Sequence, residues 1–173
     1  VRFSQGEVHH LARSTGAEVK VREVASTRGS RTAVGRLVPA VRLGKVVHLA
    51  IERAALRGAA ERAADEALAR EVLVGAGETE HREALGALIV DTLASIRGVA
   101  AALGATEEPW SEVPFAIDLD GTTLHGIVDL VVRGADGLHV VDLKTHLMGR
   151  GELATWAAYY QPQLDAYALA VER

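Results

Sequence analysis

Residues 126–145 read Gly-Ile-Val-Asp-Leu-Val-Val-Arg-Gly-Ala-Asp-Gly-Leu-His-Val-Val-Asp-Leu-Lys-Thr. Two runs rich in Val and Leu lie on either side of Gly134-Ala135-Asp136-Gly137, and such punctuation predicts a β-hairpin. A longer loop pairs Arg133 with Leu138 and a tight one pairs Gly134 with Gly137; both lead to the same register. In that register Val131 faces Val140, and Asp129 sits directly opposite Asp142. Alternation along the strand puts Lys144 on the same face as Asp142. Opposed residues hold their Cβ atoms ~4.5–5.5 Å apart, where like charges destabilise the pair. Partial burial strengthens the repulsion and desolvates both carboxylates. A divalent cation is the simplest offset, with Lys144 supplying part of the positive charge. The competing arrangement is an exposed strand edge screened by water and Lys144, which fits poorly with aspartates set among Val and Leu.

Upstream, Glu112–Leu119 and Thr122–Arg133 flank Asp120-Gly121, a dipeptide suited to a type I′ hairpin turn. The third strand is expected over Leu138–Thr145. From Leu43 to about Val74 the chain is rich in Ala, Leu, Glu and Arg and predicts one long helix. A break at Val74–Thr79 precedes a second helix, Glu80 to Leu103, closed by Gly104 and Pro109. Leu153–Arg173 reads as the last helix; Pro162 fits best in a first turn, which would delay its start to about Tyr160. Residues 26–40 carry Gly, Ser and Pro without a period and read as a loop. The order helix, helix, strand, strand, strand, helix predicts an α/β fold around a small sheet.

Composition narrows the chemistry. The 173 residues are 49% hydrophobic and 24% charged, ordinary for a globular protein, and only 4% aromatic, so the core must rest on Ala, Val and Leu. No apolar run approaches the ~18–20 residues that span a bilayer, so no membrane partner is expected. No charged-then-apolar leader points to secretion. The chain begins at Val1 and stops at Arg173 within a predicted helix, so a piece of a longer protein is expected. Cysteine is absent, which excludes disulfides, thiolate zinc sites, an iron–sulfur cluster and a cysteine nucleophile within these residues. A metal here must rest on His, Asp, Glu or backbone oxygen, donors that favour Mg²⁺ or Mn²⁺.

The net charge of −4 is unevenly spread. Residues 1–45 hold nine Lys/Arg against three Glu, a local balance of +6, and the remainder carries −10. A basic flank beside an acidic body suits contact with a polyanion at one edge, and equally a solvated linker.

Four segments, in order, carry a resemblance: Gly44-Lys-Val-Val-His48, Gly126-Ile-Val-Asp129, Asp142-Leu-Lys144-Thr145 with the following His146-Leu-Met-Gly149, and Tyr160-Gln-Pro-Gln163-Leu164-Asp-Ala-Tyr167. Together they resemble the PD-(D/E)XK nuclease superfamily, and more closely the nuclease domain of RecB and AddA helicase–nuclease subunits. The resemblance implies a restriction-endonuclease-like α/β core, a small mixed β-sheet flanked by helices, over residues 43–173, with 1–42 as a basic flank. It implies phosphodiester hydrolysis of DNA, exonuclease-type on single-stranded ends, in double-strand break repair. The implied partners are DNA, the helicase domain of the same parent chain and a second helicase–nuclease subunit. The implied setting is the bacterial cytoplasm, at the nucleoid. The missing cysteines point to the branch without an iron–sulfur cluster.

The same resemblance assigns roles. Asp129 and Asp142 would ligate Mg²⁺, with Mn²⁺ able to substitute, and the Leu143 carbonyl and the His48 side chain would complete the site. Lys144 would position and activate the attacking water, and Gln163 would contact Lys144, water or the substrate phosphate. Thr145 would support the lysine, and Tyr160 and Tyr167 would line the substrate side. Residue by residue, blander roles compete. His48 has Glu52 one turn on as a hydrogen-bonding partner. Leu164 and Tyr167 fall on one helix face with Tyr160 and Gln163, as packing residues would. Glu112 is either a further acidic group near the metal or an edge-strand glutamate. Gly44 admits a close approach to its helix, by another helix or by DNA. The remaining histidines have no His-Glu-x-x-His spacing, and no phosphate-binding glycine loop or Gly-x-Ser-x-Gly motif is present. Two alternatives to the helicase-linked enzyme stand beside it: a non-catalytic DNA-binding or partner-contact domain on a nuclease fold, and a stand-alone phage or restriction-type nuclease.

Overall fold

The computed structural model describes residues 38–58, 60–119, 121–145 and 153–172. Most of the basic flank, Asp120 of the first turn and the His146–Gly149 segment lie outside the described residues. The elements run α1 (Ala40–Arg53), α2 (Arg62–Gly75), α3 (Arg82–Ala102), β1 (Trp110–Leu119), β2 (Thr122–Gly134), β3 (Gly137–Val141) and α4 (Leu153–Glu172). The result is the expected α/β fold, consistent with a restriction-endonuclease-like core. Its three described strands are antiparallel throughout, in the order β1-β2-β3, where a mixed sheet was expected.

The long helix expected over 43–74 is two helices. After Arg53 the backbone turns extended at Ala54, and Gly58 adopts a left-handed φ of +79°, open to glycine without strain. The break drops Leu56 into the core at 1% exposure. Its freed N–H is taken up by the Glu108 carboxylate, which also accepts from the Arg57 N–H at 3.2 Å. Long-range burial and capping therefore override a composition that favours helix throughout.

α3 forms the centre of the main core. Its Leu85, Leu88, Ile89, Leu93 and Ile96 are buried with Leu43, Val46, Val47 and Ile51 of α1, Val72 and Leu73 of α2, and Leu130 and Val132 of β2. By length and composition it is the one helix among the described residues apolar enough to cross a membrane, although Asp91 and Arg97 interrupt it. Its apolar residues are accounted for by this packing. α4 closes over a second cluster, in which Tyr167 meets Val128, Val131 and, edge to face at 5.7 Å, Phe115. β2 is consequently buried without a gap from Val128 to Val132.

The register is the one read from the turns. Leu119 pairs with Thr122 across the first turn, and Gly134 pairs with Gly137 and Leu130 with Val141 across the second. β3 then ends at Val141, four residues short of the expectation, because Leu143 gives its N–H to the Asp129 side chain at 2.7 Å instead of to a strand carbonyl. α4 runs through Pro162 without waiting for it. A proline inside a helix removes one backbone bond and costs about 3 kcal/mol. Here the helix is held on both sides of it by the contacts of Tyr160, Gln163 and Tyr167 described below.

Candidate active site

Three carboxylates lie close together: Glu112 on β1, Asp129 on β2 and Asp142 just past the end of β3. The ladder between β1 and β2 runs through Ser111↔Leu130 and Val113↔Val128, which leaves Glu112 beside Asp129. The β2–β3 ladder stops one step before Asp129 and Asp142 would meet. Glu112 has φ +49°, the left-handed region that a residue with a Cβ enters at a cost of about 1–3 kcal/mol. That twist interrupts the ladder at its own position and directs the Glu112 carboxylate toward α1. There its Oε1 shares a 2.7 Å hydrogen bond with His48 Nδ1, which also lies 3.9 Å from Asp129 Oδ1. His48 thus faces the sheet, and its alternative partner Glu52 is exposed.

Asp129 is 8% exposed. Burial pushes its carboxyl above the ordinary carboxylate range; the Leu143 N–H pulls the other way, Asp142 adds to the rise, and His48 and Lys144 oppose it. One oxygen is satisfied by Leu143, and the other is turned to His48. The candidate ligand atoms of His48, Glu112 and Asp129 all lie within 4.8 Å of one another. An imidazole and two carboxylates so close suit a small divalent cation with a preference for oxygen, Mg²⁺ or Mn²⁺.

Asp142 belongs to a second, adjoining group. The Lys144 ammonium lies 2.8 Å from both of its oxygens, and Gln163 Nε2 donates to Oδ1 at 3.2 Å. Lys144 also donates to Gln163 Oε1 at 3.3 Å and sits over the Tyr160 ring, 4.5 Å from its centre. The same Gln163 Nε2 donates to the Tyr167 hydroxyl. Burial raises the Tyr167 pKa, the Gln163 bond lowers it, and Asp129, Asp142 and Glu112 add to the rise. The Gln163 amide therefore spans Asp142, Lys144 and Tyr167, and Tyr167 is at once a packing residue and a member of this network.

The expected residues converge, with differences in detail. His48, Asp129, Asp142, Lys144, Gln163, Tyr160 and Tyr167 adjoin one another as above. Asp142 is bound to Lys144 and Gln163 rather than grouped with His48. At Leu143 it is the N–H that reaches the site residue Asp129. The Thr145 hydroxyl lies against α1, where a Cβ on Gly44 would stand 3.5 Å from its Oγ1, so the group that approaches at Gly44 is this side chain. Of the two roles open to Glu112, the structure places it with the acidic group, and the register carried from Asp120-Gly121 sets it beside Asp129, as the other turn sets Asp142.

A row of acids at the end of a β-hairpin, buried at Asp129 and half-buried at Glu112 and Asp142, faces a histidine and adjoins a lysine held by a carboxylate and an amide, a donor set that could hold a divalent cation. The chain belongs to the PD-(D/E)XK nuclease superfamily, whose family model matches residues 19–173. No curated protein matches it. Membership makes it a nuclease fold, which implies DNA as substrate; nucleases of this superfamily use divalent metals, and His48, Glu112 and Asp129 are a trio that could hold one.

Proposed function

We propose that residues 43–173 are the exonuclease module of a RecB/AddA-like helicase–nuclease. It hydrolyses single-stranded DNA ends during double-strand break repair, with Mg²⁺ as cofactor and Mn²⁺ as substitute. The observation that carries this reading is the row Glu112, Asp129, Asp142 with His48 on one side and Lys144 and Gln163 on the other. His48, Glu112 and Asp129 would hold the cation, with Asp142 and the Leu143 carbonyl beside them. A bound divalent ion lowers the pKa of a coordinated water and neutralises charge on the scissile phosphate.

The chain's own groups do the rest. Lys144, fixed by Asp142 and Gln163, orients the attacking water and presents positive charge to the phosphorane-like transition state. Gln163 holds the lysine and reaches the phosphate; Thr145 steadies the segment that carries the lysine. Fused to a helicase domain in the same chain, and set beside a second subunit in the bacterial cytoplasm, the module receives strands that a motor has separated. The absence of cysteine agrees with the branch that has no iron–sulfur cluster.

The test is degradation of end-labelled single-stranded DNA with Mg²⁺ or Mn²⁺. Asp142→Ala and Lys144→Ala each lower the rate by at least ~100-fold, the scale of removing one electrostatic stabiliser. Equal rates in all three proteins would sink the assignment of this site.

A further inference from the structure

We infer that the first turns of α4 form a base-stacking platform, which takes an unpaired nucleobase beside the cleavage site. The inference deepens the nuclease reading above and rests on it. Trp156, Tyr159, Tyr160, Gln163 and Tyr167 follow one another at helical spacing, so one stripe of α4 carries both the aromatic rings and the amide of the Lys144 network. Trp156 and Tyr160 are stacked, with centres 6.0 Å apart and planes 19° from parallel. Tyr159 stands edge-on to both, at 5.8 Å from Trp156 and 5.0 Å from Tyr160. The Lys144 ammonium over Tyr160 joins this cluster to the site.

Two features make the cluster a surface for a ligand. Tyr159 is 61% exposed, in a chain whose aromatic content is only 4%, so a large ring faces solvent where few rings exist at all. The cluster is also continuous with the residues assigned to phosphate chemistry. A strand whose scissile phosphate lies at Lys144 must place its neighbouring bases within a few ångströms of that lysine. Rings offer those bases a face that every base can use, which gives binding without sequence preference. A duplex keeps its bases stacked inside and cannot use the platform, so the arrangement selects single strands.

The test reads binding in EDTA, apart from cleavage and metal occupancy. In a Trp110→Phe background, which leaves Trp156 as the sole tryptophan, oligo-dT quenches the Trp156 emission. With affinity read from the anisotropy of end-labelled oligo-dT, Trp156→Ala and Tyr159→Ala each weaken binding about tenfold, the lower range for losing one stacked base. An abasic strand of equal length, with the same phosphates, binds all proteins alike, and so does a blunt duplex. Tyr159→Phe keeps the ring and the affinity, which separates stacking from a folding defect. Unchanged oligo-dT affinity in both alanine variants overturns the platform, as does an equal loss for the abasic strand. A failure of metal-dependent cleavage with stacking intact would instead overturn the nuclease reading.

Discussion

Asp65 on α2 and Asp129 on β2 are buried to nearly the same degree, 5% and 8% exposed, yet their surroundings are opposite. Both oxygens of Asp65 are met by the Arg97 guanidinium at 2.6 and 2.7 Å, and Arg97 Nε donates to the Ala55 carbonyl at 2.9 Å. That pair closes on itself and ties α2 and α3 to the segment where the helix breaks. Asp129 has one oxygen on a backbone N–H, and its other neighbours include two more carboxylates. Burial alone does not distinguish a structural acid from a functional one. The supply of positive charge does: Asp65 has a dedicated cation, whereas Glu112, Asp129 and Asp142 share Lys144 and His48.

The largest effect expected from this contrast is on stability, at the closed pair. Asp65→Ala leaves Arg97 buried without its partner and destabilises the fold by about 3–5 kcal/mol. Urea denaturation of the metal-free protein measures it. A loss below ~1 kcal/mol would mean that water reaches Arg97 and the pair is no staple.

The open group responds to ligand instead. Mn²⁺ at a hundredfold its dissociation constant raises the unfolding free energy by about 2.7 kcal/mol, as for any single site confined to the native state. Glu112→Gln and His48→Ala remove donors from the trio, and each lowers the gain from a fixed Mn²⁺ concentration. Thermal unfolding with and without Mn²⁺ reads this directly. If Glu112→Gln responds like wild type, Glu112 is an edge-strand residue and the metal sits among other donors.

The legible parts of this molecule were those set by short-range rules. The two turns specify the register of all three strands, and the register brings Asp129 and Asp142 to adjoining positions. The four short motifs pick out His48, Lys144 and Gln163. What escaped the sequence depends on partners far along the chain. The helix break at Ala54–Glu61 is stabilised by Leu56 burial and by Glu108, 52 residues away from Leu56. Asp65 on α2 and Arg97 on α3, 32 residues apart, form no local pattern. The left-handed Glu112 runs against its residue type, so strand propensity cannot reveal it. The early end of β3 arises because a side chain takes the place of a strand carbonyl, a substitution that alternation patterns do not encode.

The smallest effect tests the open carboxylate in isolation. Burial raises the Asp129 pKa above its ordinary 3.8, so the folded chain holds that proton more tightly than the unfolded chain does. The contribution of such a group is fully present below the ordinary value and is lost as pH rises through the raised one. At neutral pH that contribution is lost, so burial of the Asp129 carboxyl opposes folding of the metal-free protein. Asp129→Asn removes that charge and keeps an oxygen for the Leu143 N–H. The variant is expected to be more stable than wild type at pH 7, with the advantage shrinking toward pH 4, and to lose its Mn²⁺ response. Denaturation across that range gives the answer: a variant less stable at pH 7 would show that His48 and Lys144 already neutralise Asp129, and that its surroundings are as closed as those of Asp65.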